Sequence, residues 1–512
     1  MSCGKAGVQQ CRTPTACNSF TGPATSFERK RLVLCRAWRK NMLRKILAWW
    51  FTALIAMPAF SQSPTSGNAA DRMIEARAFE TVIWAMSAVN YDLMRQALLN
   101  KTSGKENQIA YWGRPVDWRN QTLTPNPDTI YFMVFFNTKD GPIVLDIPAA
   151  RGQNSLNGNI VDIWQMPLED AGPLGADKGA GGKYLLLPPD YKGTVPSGYI
   201  VLQSNTFGGY ALIRSNLASH GDADVANAIA YGKTIQVYPL SQAAKPPATV
   251  FTDAKDVMFD STIRYDASFF NNVDRIVQTE PWLPRDRIMI DQLRSLGIEK
   301  GKPFSPNDTM KKQLDSAAHE AGEWLKAKYE ASMSPFFSPA SHWTSALSVE
   351  FIKAQQDGFA DPNSYPVDAR GLIYTFGYIG IKRLGVGQMY LISINDKNGQ
   401  AFDGSKTYRL SVPPNVPVQQ YWSVTAYDRQ THALIRNMPR ASRSSRAPEL
   451  QKNADGSADI YFGPTAPAGK ESNWIPTDPS RQFELMVRFY APTKALFEKK
   501  WTLPDVEKAA VQ

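Results

Sequence analysis

Cysteine is absent from nearly the whole chain. All four (Cys3, Cys11, Cys17, Cys35) fall within the first 35 of 512 residues. The rest of the protein therefore has no disulfide framework, no thiolate zinc site and no cysteine nucleophile. Histidine is scarce as well. His220, His319, His342 and His432 are scattered and form no His-x-His or His-x-x-x-His pair. His319 and Glu323 share helical i,i+4 spacing, which is half of a metal site and more simply a solvated pair. No glycine-rich loop stands between a strand and a helix, which argues against Rossmann and P-loop nucleotide binding.

Charge of one sign is also missing where it would matter. The chain holds 57 Lys and Arg against 47 Asp and Glu. Residues 1–61 contribute ten of the basic groups (Lys5, Arg12, Arg29, Lys30, Arg31, Arg36, Arg39, Lys40, Arg44, Lys45) and a single acid, Glu28. Residues 62–512 are left with 47 and 46, a net charge of +1. The body thus lacks the basic footprint of a nucleic-acid partner. At 43% apolar and 20% charged residues it has the balance of a chain that buries a core, not of a disordered one.

The basic leader contains Arg44-Lys45, an apolar run from Ile46 to Met57, and Pro58 before Ala59-Phe60-Ser61. That order predicts a signal peptide over 42–61, cleaved near Ser61, with 1–41 an upstream extension from start-codon choice. The apolar run is shorter than the ~20 residues that span a bilayer, so the processed chain is not expected to be an integral membrane protein. The expected location is periplasmic or secreted.

Downstream, Ile74, Phe79, Ile83, Met86, Val89, Leu93 and Leu98 predict an amphipathic helix over about 70–99. IYFMVFFNT from Ile130 and IVLDIP after Gly141-Pro142 predict a pair of strands with a short connection. NIVDIWQMP, KYLLLPPDY, SGYIVLQS, GYALIRS and TIQVYPL continue the pattern of short strands bounded by turn residues. Such spacing indicates a sandwich or barrel. Pro306-Asn307-Asp308 marks the start of a helix with Met310, Leu314, Ala317, Ala321, Trp324, Leu325 and Tyr329 on one face. MYLISIND, TYRLSVPPNVPVQQYWSVTAYD, ADIYFG and FELMVRFYAP return to strands, and Pro492–Leu503 predicts a short closing helix. The expected fold is mainly β with accessory helices (α+β). The expected domains are 62–250, a helical connection over 251–370, and 371–512.

Thr124-Pro-Asn-Pro-Asp-Thr-Ile-Tyr131 with the strands that follow resembles domain of unknown function 1254. Tyr408-Arg-Leu-Ser-Val-Pro-Pro-Asn-Val-Pro-Val418, continuing to Tyr421-Trp-Ser-Val-Thr-Ala-Tyr-Asp428, resembles domain of unknown function 1214. Asn437-Met-Pro-Arg, Tyr461-Phe-Gly-Pro464, Asn473-Trp-Ile-Pro476 and Arg488-Phe-Tyr-Ala-Pro492 extend the second resemblance, which with the first spans roughly 70–500. It implies an exported bacterial protein with two jelly-roll-like β-sandwich domains and no established reaction.

Several polar groups are candidates for a site. Asp128 and Asp162 are candidate catalytic carboxylates, and with aromatic walls such a pair is the equipment of glycoside cleavage. Asn126, Trp112, Arg114, Trp118 and Tyr131 are candidate substrate contacts around a polar ring. Asp128 with Asn126 equally reads as a turn, and the two tryptophans as core. Trp164 shares a strand face with Asp162. In the second half, Asp428 and Arg443, near Arg436 and Arg440, either clamp an anionic group or stitch a long loop. Ser442 and Ser444 lack a neighbouring histidine or a nucleophile elbow. Asp396, Asn398 and Asp403 read as a hairpin turn, since a calcium loop would need a twelfth-position Glu. No metal and no cofactor is expected. The expected function is an envelope enzyme, a hydrolase or lyase, acting on a carbohydrate-like or carboxylated small molecule. The alternative is a non-catalytic ligand-binding or assembly protein. A small-molecule or glycan partner and a homo-oligomer fit both.

Overall fold

The computed structural model describes residues 68–345, 349–375, 380–383 and 387–509. The expected upstream extension over 1–41, the expected signal peptide over 42–61 and all four cysteines lie outside the described residues. The described chain from Asn68 onward clusters as one compact unit.

Helix α1 (Ala69–Lys101) opens it. Asn68 caps it, its side-chain oxygen accepting from Ala70 N at 2.8 Å and Asp71 N at 3.0 Å. The sequence predicts one apolar stripe here. Instead every residue from Thr81 to Asp92 is buried, as in a helix enclosed on all sides. Two polar residues of that stretch are paired internally, Asp92 with Arg275 at 2.8 Å and Asn90, through its Oδ1, with Gln165 at 2.7 Å.

The first half of the chain then lays down β1 (Ile109–Tyr111), β2 (Asn120–Gln121), β3 (Thr129–Asn137), β4 (Ile143–Ile147), β5 (Leu156–Asp162) and β6 (Pro167–Ala171). β7 (Gly182–Leu187), β8 (Ile200–Gln203), β9 (Gly208–Asn216), α2 (Asp222–Gly232), β10 (Gln236–Pro239), β11 (Phe251–Asp253) and β12 (Phe259–Asp260) follow. One sheet runs β11-β1-β3-β9-β5-β6 and a second β10-β4-β7-β8. They face each other across a core that includes Ile130, Phe132 and Val134 from the first and Leu145, Tyr184 and Leu186 from the second.

The expected pairing of β3 with β4 does not occur, because the two strands belong to different sheets. β3 is apolar on both faces, and its Tyr131, Met133 and Phe135 enter a separate core. A strand buried on both faces takes an interior place in a covered sheet, between β1 and β9. The short connection at Gly141 (φ 129°) carries the chain across to the facing sheet.

Helices α3 (Phe269–Thr279), α4 (Met289–Ser295) and α5 (Asp308–Ala331) come next. Asn307 caps α5 by accepting from Met310 N at 2.8 Å, as the sequence predicts. After β13 (Ser334–Pro335), β14 (Thr344–Ser345), α6 (Val349–Gln356) and α7 (Val367–Thr375), the second set of strands begins. It comprises β15 (Gln388–Ser393), β16 (Tyr408–Val412), β17 (Val418–Asp428), β18 (Ser442–Ser444), β19 (Ala458–Gly463), β20 (Trp474–Pro476), β21 (Phe483–Pro492) and β22 (Glu507–Lys508). These form sheets β13-β14-β15-β21-β17-β18 and β20-β19-β16-β22 around another core, with Val424, Leu485, Val487 and Phe489 among its residues. The closing helix is only α8 (Lys494–Phe497), ended by Lys499 at φ 54°.

The central core, built on α1, α3 and α5, takes Tyr131, Met133 and Phe135 from the outer face of the first sandwich. It also takes Tyr427, Met486 and Ile392 from the outer face of the second. The architecture is thus mainly β with helices, the helices filling the space between two pairs of sheets. Among the described residues, no helix is long and apolar enough to cross a membrane.

Candidate functional site between the two sandwiches

The turn before β3 is where the halves of the chain join. Asn126 Oδ1 accepts from Asp128 N at 3.0 Å, the Asx turn that Asn-Pro-Asp encodes. The other polar atoms of the turn reach outward. Tyr131 OH accepts from Asn126 N at 2.9 Å, and Asn126 Nδ2 donates to Tyr490 OH at 2.5 Å. Ser442 Oγ donates to Asp128, lying 2.9 Å and 3.2 Å from its two carboxylate oxygens. Tyr427 OH donates to Pro125 O at 2.7 Å, and Arg488 donates to Thr124 O at 3.1 Å. Thr124 itself is held at φ 38°, costly for a β-branched residue, with its N–H on His432 O at 2.7 Å.

The partner surface is the outer face of the sheet holding β17 and β21. Period-2 alternation sends Trp422, Val424 and Ala426 into the second core and turns Tyr421, Ser423, Thr425 and Tyr427 toward the first sandwich. Arg488, buried on that face, donates to Thr425 Oγ1 at 2.9 Å and to Tyr427 OH at 2.5 Å. Tyr421 and Tyr490 stack with centroids 4.0 Å apart. Burial holds the hydroxyls of Tyr421, Tyr427 and Tyr490 above the ordinary phenol range, so they remain neutral hydrogen-bonding groups.

Beside this joint lies a small cavity of about 70 Å³, bordered by Asn90 of α1, Thr122–Pro125, Tyr131, Gln165, Tyr210 and Arg214. Gln165 sits at φ 57° in the turn after β5. Its Nε2 donates to Ser87 O at 2.9 Å, which fixes the amide orientation, and to Asn90 Oδ1 at 2.7 Å. Asn90 Nδ2 is left buried without a partner. Arg214 stands opposite Tyr131 in the β3–β9 register, its guanidinium 5.7 Å from the ring centre. Among the described residues it reaches Asn159 Oδ1 at 3.5 Å and hydrogen-bonds the Tyr131 side chain, and it forms no salt bridge with a carboxylate. The cavity therefore offers a permanent positive charge and an unused amide donor. No Asp, Glu, His or Lys borders it.

The structure gathers Asn126, Asp128 and Tyr131 at the joint and sends the remaining candidates elsewhere. Trp112 is 2% exposed and edge-on to Phe259 at 5.2 Å, a core residue. Arg114 ties its loop to Asp117 at 3.0 Å and Asp256 at 2.9 Å, and the Arg119 guanidinium covers the Trp118 ring at 4.5 Å. Asp428 receives the Arg481 guanidinium and the N–H groups of Gln430 and Thr431, at 3.0 Å and 2.9 Å. Burial opposes its charge, but Arg481 and these donors hold the carboxyl below its usual range. Arg443 pairs with Glu449 at 3.0 Å and, opposite Val424, points into the second sandwich, away from the joint.

Asp128 and Asp162 do not form a pair. Thr129, next to Asp128, is in register with Asn216 of β9, whereas Asp162 is in register with Gly209. Seven residues at ~3.3 Å each put them roughly 23 Å apart along the sheet. That is far beyond the ~5–9.5 Å of glycosidase carboxylates. Asp162 caps its own turn, accepting from Met166 N at 2.9 Å. Burial pushes its carboxyl up to about 6, against the pull of Arg285 and Arg370. Glu280, which accepts from Phe207 N and Gly208 N, is likewise pushed by burial, to about 7.

Among the described residues no three metal-binding side chains converge. Asp396 accepts from Asn398 N at 2.9 Å and Gln400 N at 3.1 Å, the geometry of a turn. His319 and Glu323 border a second, wider groove of about 620 Å³ together with Tyr265, Arg429, His432 and Arg481. Arg214, Asn90 and Gln165 are not among the residues that the sequence singles out, and His432 stands there only as one of four scattered histidines. The one visible signal was Arg214 itself, a charge following Tyr210 and Leu212 on the same strand face.

Residues 106–239 match the family profile for a protein of unknown function, DUF1254, and residues 387–494 that for a protein of unknown function, DUF1214. The protein is similar in fold to the crystal structure of the VPA0106 protein from Vibrio parahaemolyticus. The TM-score is 0.52 at 19% identity, over 85% of this chain and all (100%) of that one. An uncharacterised protein from Burkholderia cenocepacia aligns at a TM-score of 0.36 and 11% identity, over 86% of this chain and 94% of that one, too distant to carry an argument. No protein of curated function matches the chain. The two profiles fall on the two sandwiches in the order their motifs predict, and the chain belongs to the proteins that carry DUF1254 and DUF1214 in tandem.

Proposed function

We propose that the chain binds a small carboxylated molecule in the cavity beside the joint, walled by α1 and the first half of the chain, with the carboxylate on Arg214. The observation that carries this is a guanidinium on the cavity wall with no carboxylate salt bridge among the described residues. Arginine is charged at all physiological pH values and matches a carboxylate with two parallel donors. Asn90 Nδ2 supplies a further donor and Tyr210, neutral through burial, a polar wall. Size limits the ligand: a cavity of ~150 Å³ takes benzene, and this one has about 70 Å³. A two- or three-carbon acid fits, or the acid end of a longer molecule. The absence of an acid or base on the cavity wall favours binding over catalysis at this point. Of the two expected ligand classes, the carboxylated one is supported and the carbohydrate-like one is not. The leader motif over 42–61 supports an exported binder.

The test is calorimetric titration with acetate, glycolate and pyruvate, with acetamide as the uncharged control. Acetate is expected to bind and acetamide to fail. Arg214→Gln is expected to weaken the acid by roughly 10- to 100-fold, the value of a charged hydrogen bond. Equal binding of acetate and acetamide would sink the reading.

A further inference from the structure

The amide side chains that border the Arg214 cavity have spent their acceptors and kept donors in reserve. Asn120 Oδ1 accepts from Thr122 N at 3.2 Å and from Thr122 Oγ1 at 2.6 Å. A backbone N–H can only donate, so this contact fixes the amide orientation and leaves Nδ2 as the free end. Asn120 is buried, and its Nδ2 donates to no group among the described residues. Asn90 has the same asymmetry: its Oδ1 accepts from Gln165 Nε2 at 2.7 Å, and its Nδ2 is buried without a partner. The third amide oxygen on the wall, Gln165 Oε1, accepts from Tyr210 OH at 2.7 Å. The Tyr131 hydroxyl accepts from Asn126 N at 2.9 Å and from Arg214. Arg214 itself carries donors only.

That imbalance decides what a ligand brings beside its carboxylate. An ammonium group would stand near a guanidinium with no Asp or Glu on the wall, and a charge buried without a counter-charge is costly. A hydroxyl would bring a proton into a site whose amide oxygens are all engaged, and a buried donor left unpaired is costly too. A methylene would leave the amide donors unmet. A carbonyl oxygen brings lone pairs and no proton, so it answers the spare donors and asks for nothing in return.

We propose that the cavity selects a small 2-oxo acid, its carboxylate on Arg214 and its keto oxygen on the amide donors of Asn120 and Asn90. Ionised, such an acid is acceptor throughout, with three oxygens and no N–H or O–H. The choice at C2 rests on the carboxylate reading of the same cavity and adds to it the residues that set specificity. Arg214 stands on β9, Asn120 on β2 and Asn90 on α1, so the charge and the keto oxygen are held from different elements. Arg214 supplies affinity for any small acid, and the two asparagines sort the acids by what they carry at C2.

The experiment is calorimetric titration of the whole protein with pyruvate, L-lactate, L-alanine and propionate, which share a three-carbon skeleton and a carboxylate and differ only at C2. Pyruvate is expected to bind about tenfold more tightly than lactate or propionate, the scale of a hydrogen bond made or missed, and alanine to give no measurable heat. Asn120→Ser keeps an oxygen to accept from Thr122 N but has no amide donor. It is expected to shrink the ratio of pyruvate to propionate affinity severalfold, as is Asn90→Ala. Lactate or alanine binding as tightly as pyruvate overturns the 2-oxo acid in the wild type alone, even if neither variant folds. A ratio unchanged in both variants overturns the role of the asparagines. Acetate separates the two levels. If acetate binds and pyruvate does not, the choice at C2 fails and the carboxylate site stands; if neither binds, both fall.

Discussion

Ser442 donates its hydroxyl to Asp128 across the joint between the sandwiches, at 2.9 Å from one carboxylate oxygen and 3.2 Å from the other. The first residue belongs to the DUF1214 half and the second to the turn that opens the DUF1254 sheet. Removing the hydroxyl leaves a buried carboxylate short of a donor, which costs about 1–3 kcal/mol. Ser442→Ala is therefore expected to lower the urea midpoint with an unchanged m-value. Acetate affinity should stay within about twofold, since Asp128 does not border the Arg214 cavity. An unchanged midpoint would show that the contact does not hold the joint.

Stability is expected to rise as pH falls from 8 to 5. Asp162 and Glu280 have carboxyls raised to about 6 and about 7 in the folded chain, from 3.8 and 4.5. For a raised acid the folded state holds its proton more tightly than the unfolded one. Its contribution is complete below the unfolded value and is lost as pH climbs through the folded value. At 1.36 kcal/mol per unit, Asp162, with its folded value about one unit above pH 5, alone contributes on the order of 1 kcal/mol between pH 5 and pH 8. Asp428 works in the opposite sense, since it is held below 3.8 and loses its contribution only in stronger acid. Chemical denaturation at pH 5 and pH 8 measures the difference, and Asp162→Asn should flatten it. Equal stability at both values would contradict the burial argument.

Gly371 lies within α7, where alanine would ordinarily stabilise a helix by up to about 1 kcal/mol. Here the sign reverses. A Cβ at this position would stand 2.7 Å from Ile83 O in the backbone of α1, and neither helix can yield without opening the central core. Gly371→Ala is expected to be destabilising by about 1–3 kcal/mol, read as a lowered thermal midpoint. A raised midpoint would mean that the helices are not in contact there.

Arg488 holds Thr425, Thr124 O and Tyr427 with one planar fork. Lysine keeps the charge but not the fork, so Arg488→Lys should leave at least one of these buried acceptors unpaired and cost about 1–3 kcal/mol. Denaturation curves of the variant measure it. A loss under a few tenths of a kcal/mol would place the guanidinium outside the joint.

Local signals carried much of the fold. Asn307 announced the start of α5, and the period-2 runs around Val424, Ile460 and Leu485 became strands. What failed was whatever depended on sheet order. β3 and β4 look like partners because they are adjacent and apolar, yet β3 needs cover on both faces and so cannot stand at the edge of a hairpin. Asp128 and Asp162 look like a pair by residue type, but the register with β9 sets them at opposite ends of it. The polar side of β17, Tyr421-Ser423-Thr425-Tyr427, carries the pattern of a solvent face, and only its packing against the other sandwich reveals that it is buried. Asn90, Gln165 and Arg214 come from a helix, a turn and a strand far apart in sequence, so no spacing could join them.

The burial of α1 on every side has a consequence for heredity. A helix enclosed over Thr81–Asp92, in a core that takes side chains from both pairs of sheets, has no solvent face in that stretch to fall back on, so a gene encoding either sandwich alone is expected to give a product with either an uncovered helix or an emptied core. Polar pairs such as Asn126 with Tyr490 would be broken in the same stroke. Gene fission between the halves is thereby penalised at the level of folding, before any activity is tested. The tandem is a single unit of inheritance, and a mutation on one side of the joint is answered most directly by a change on the other.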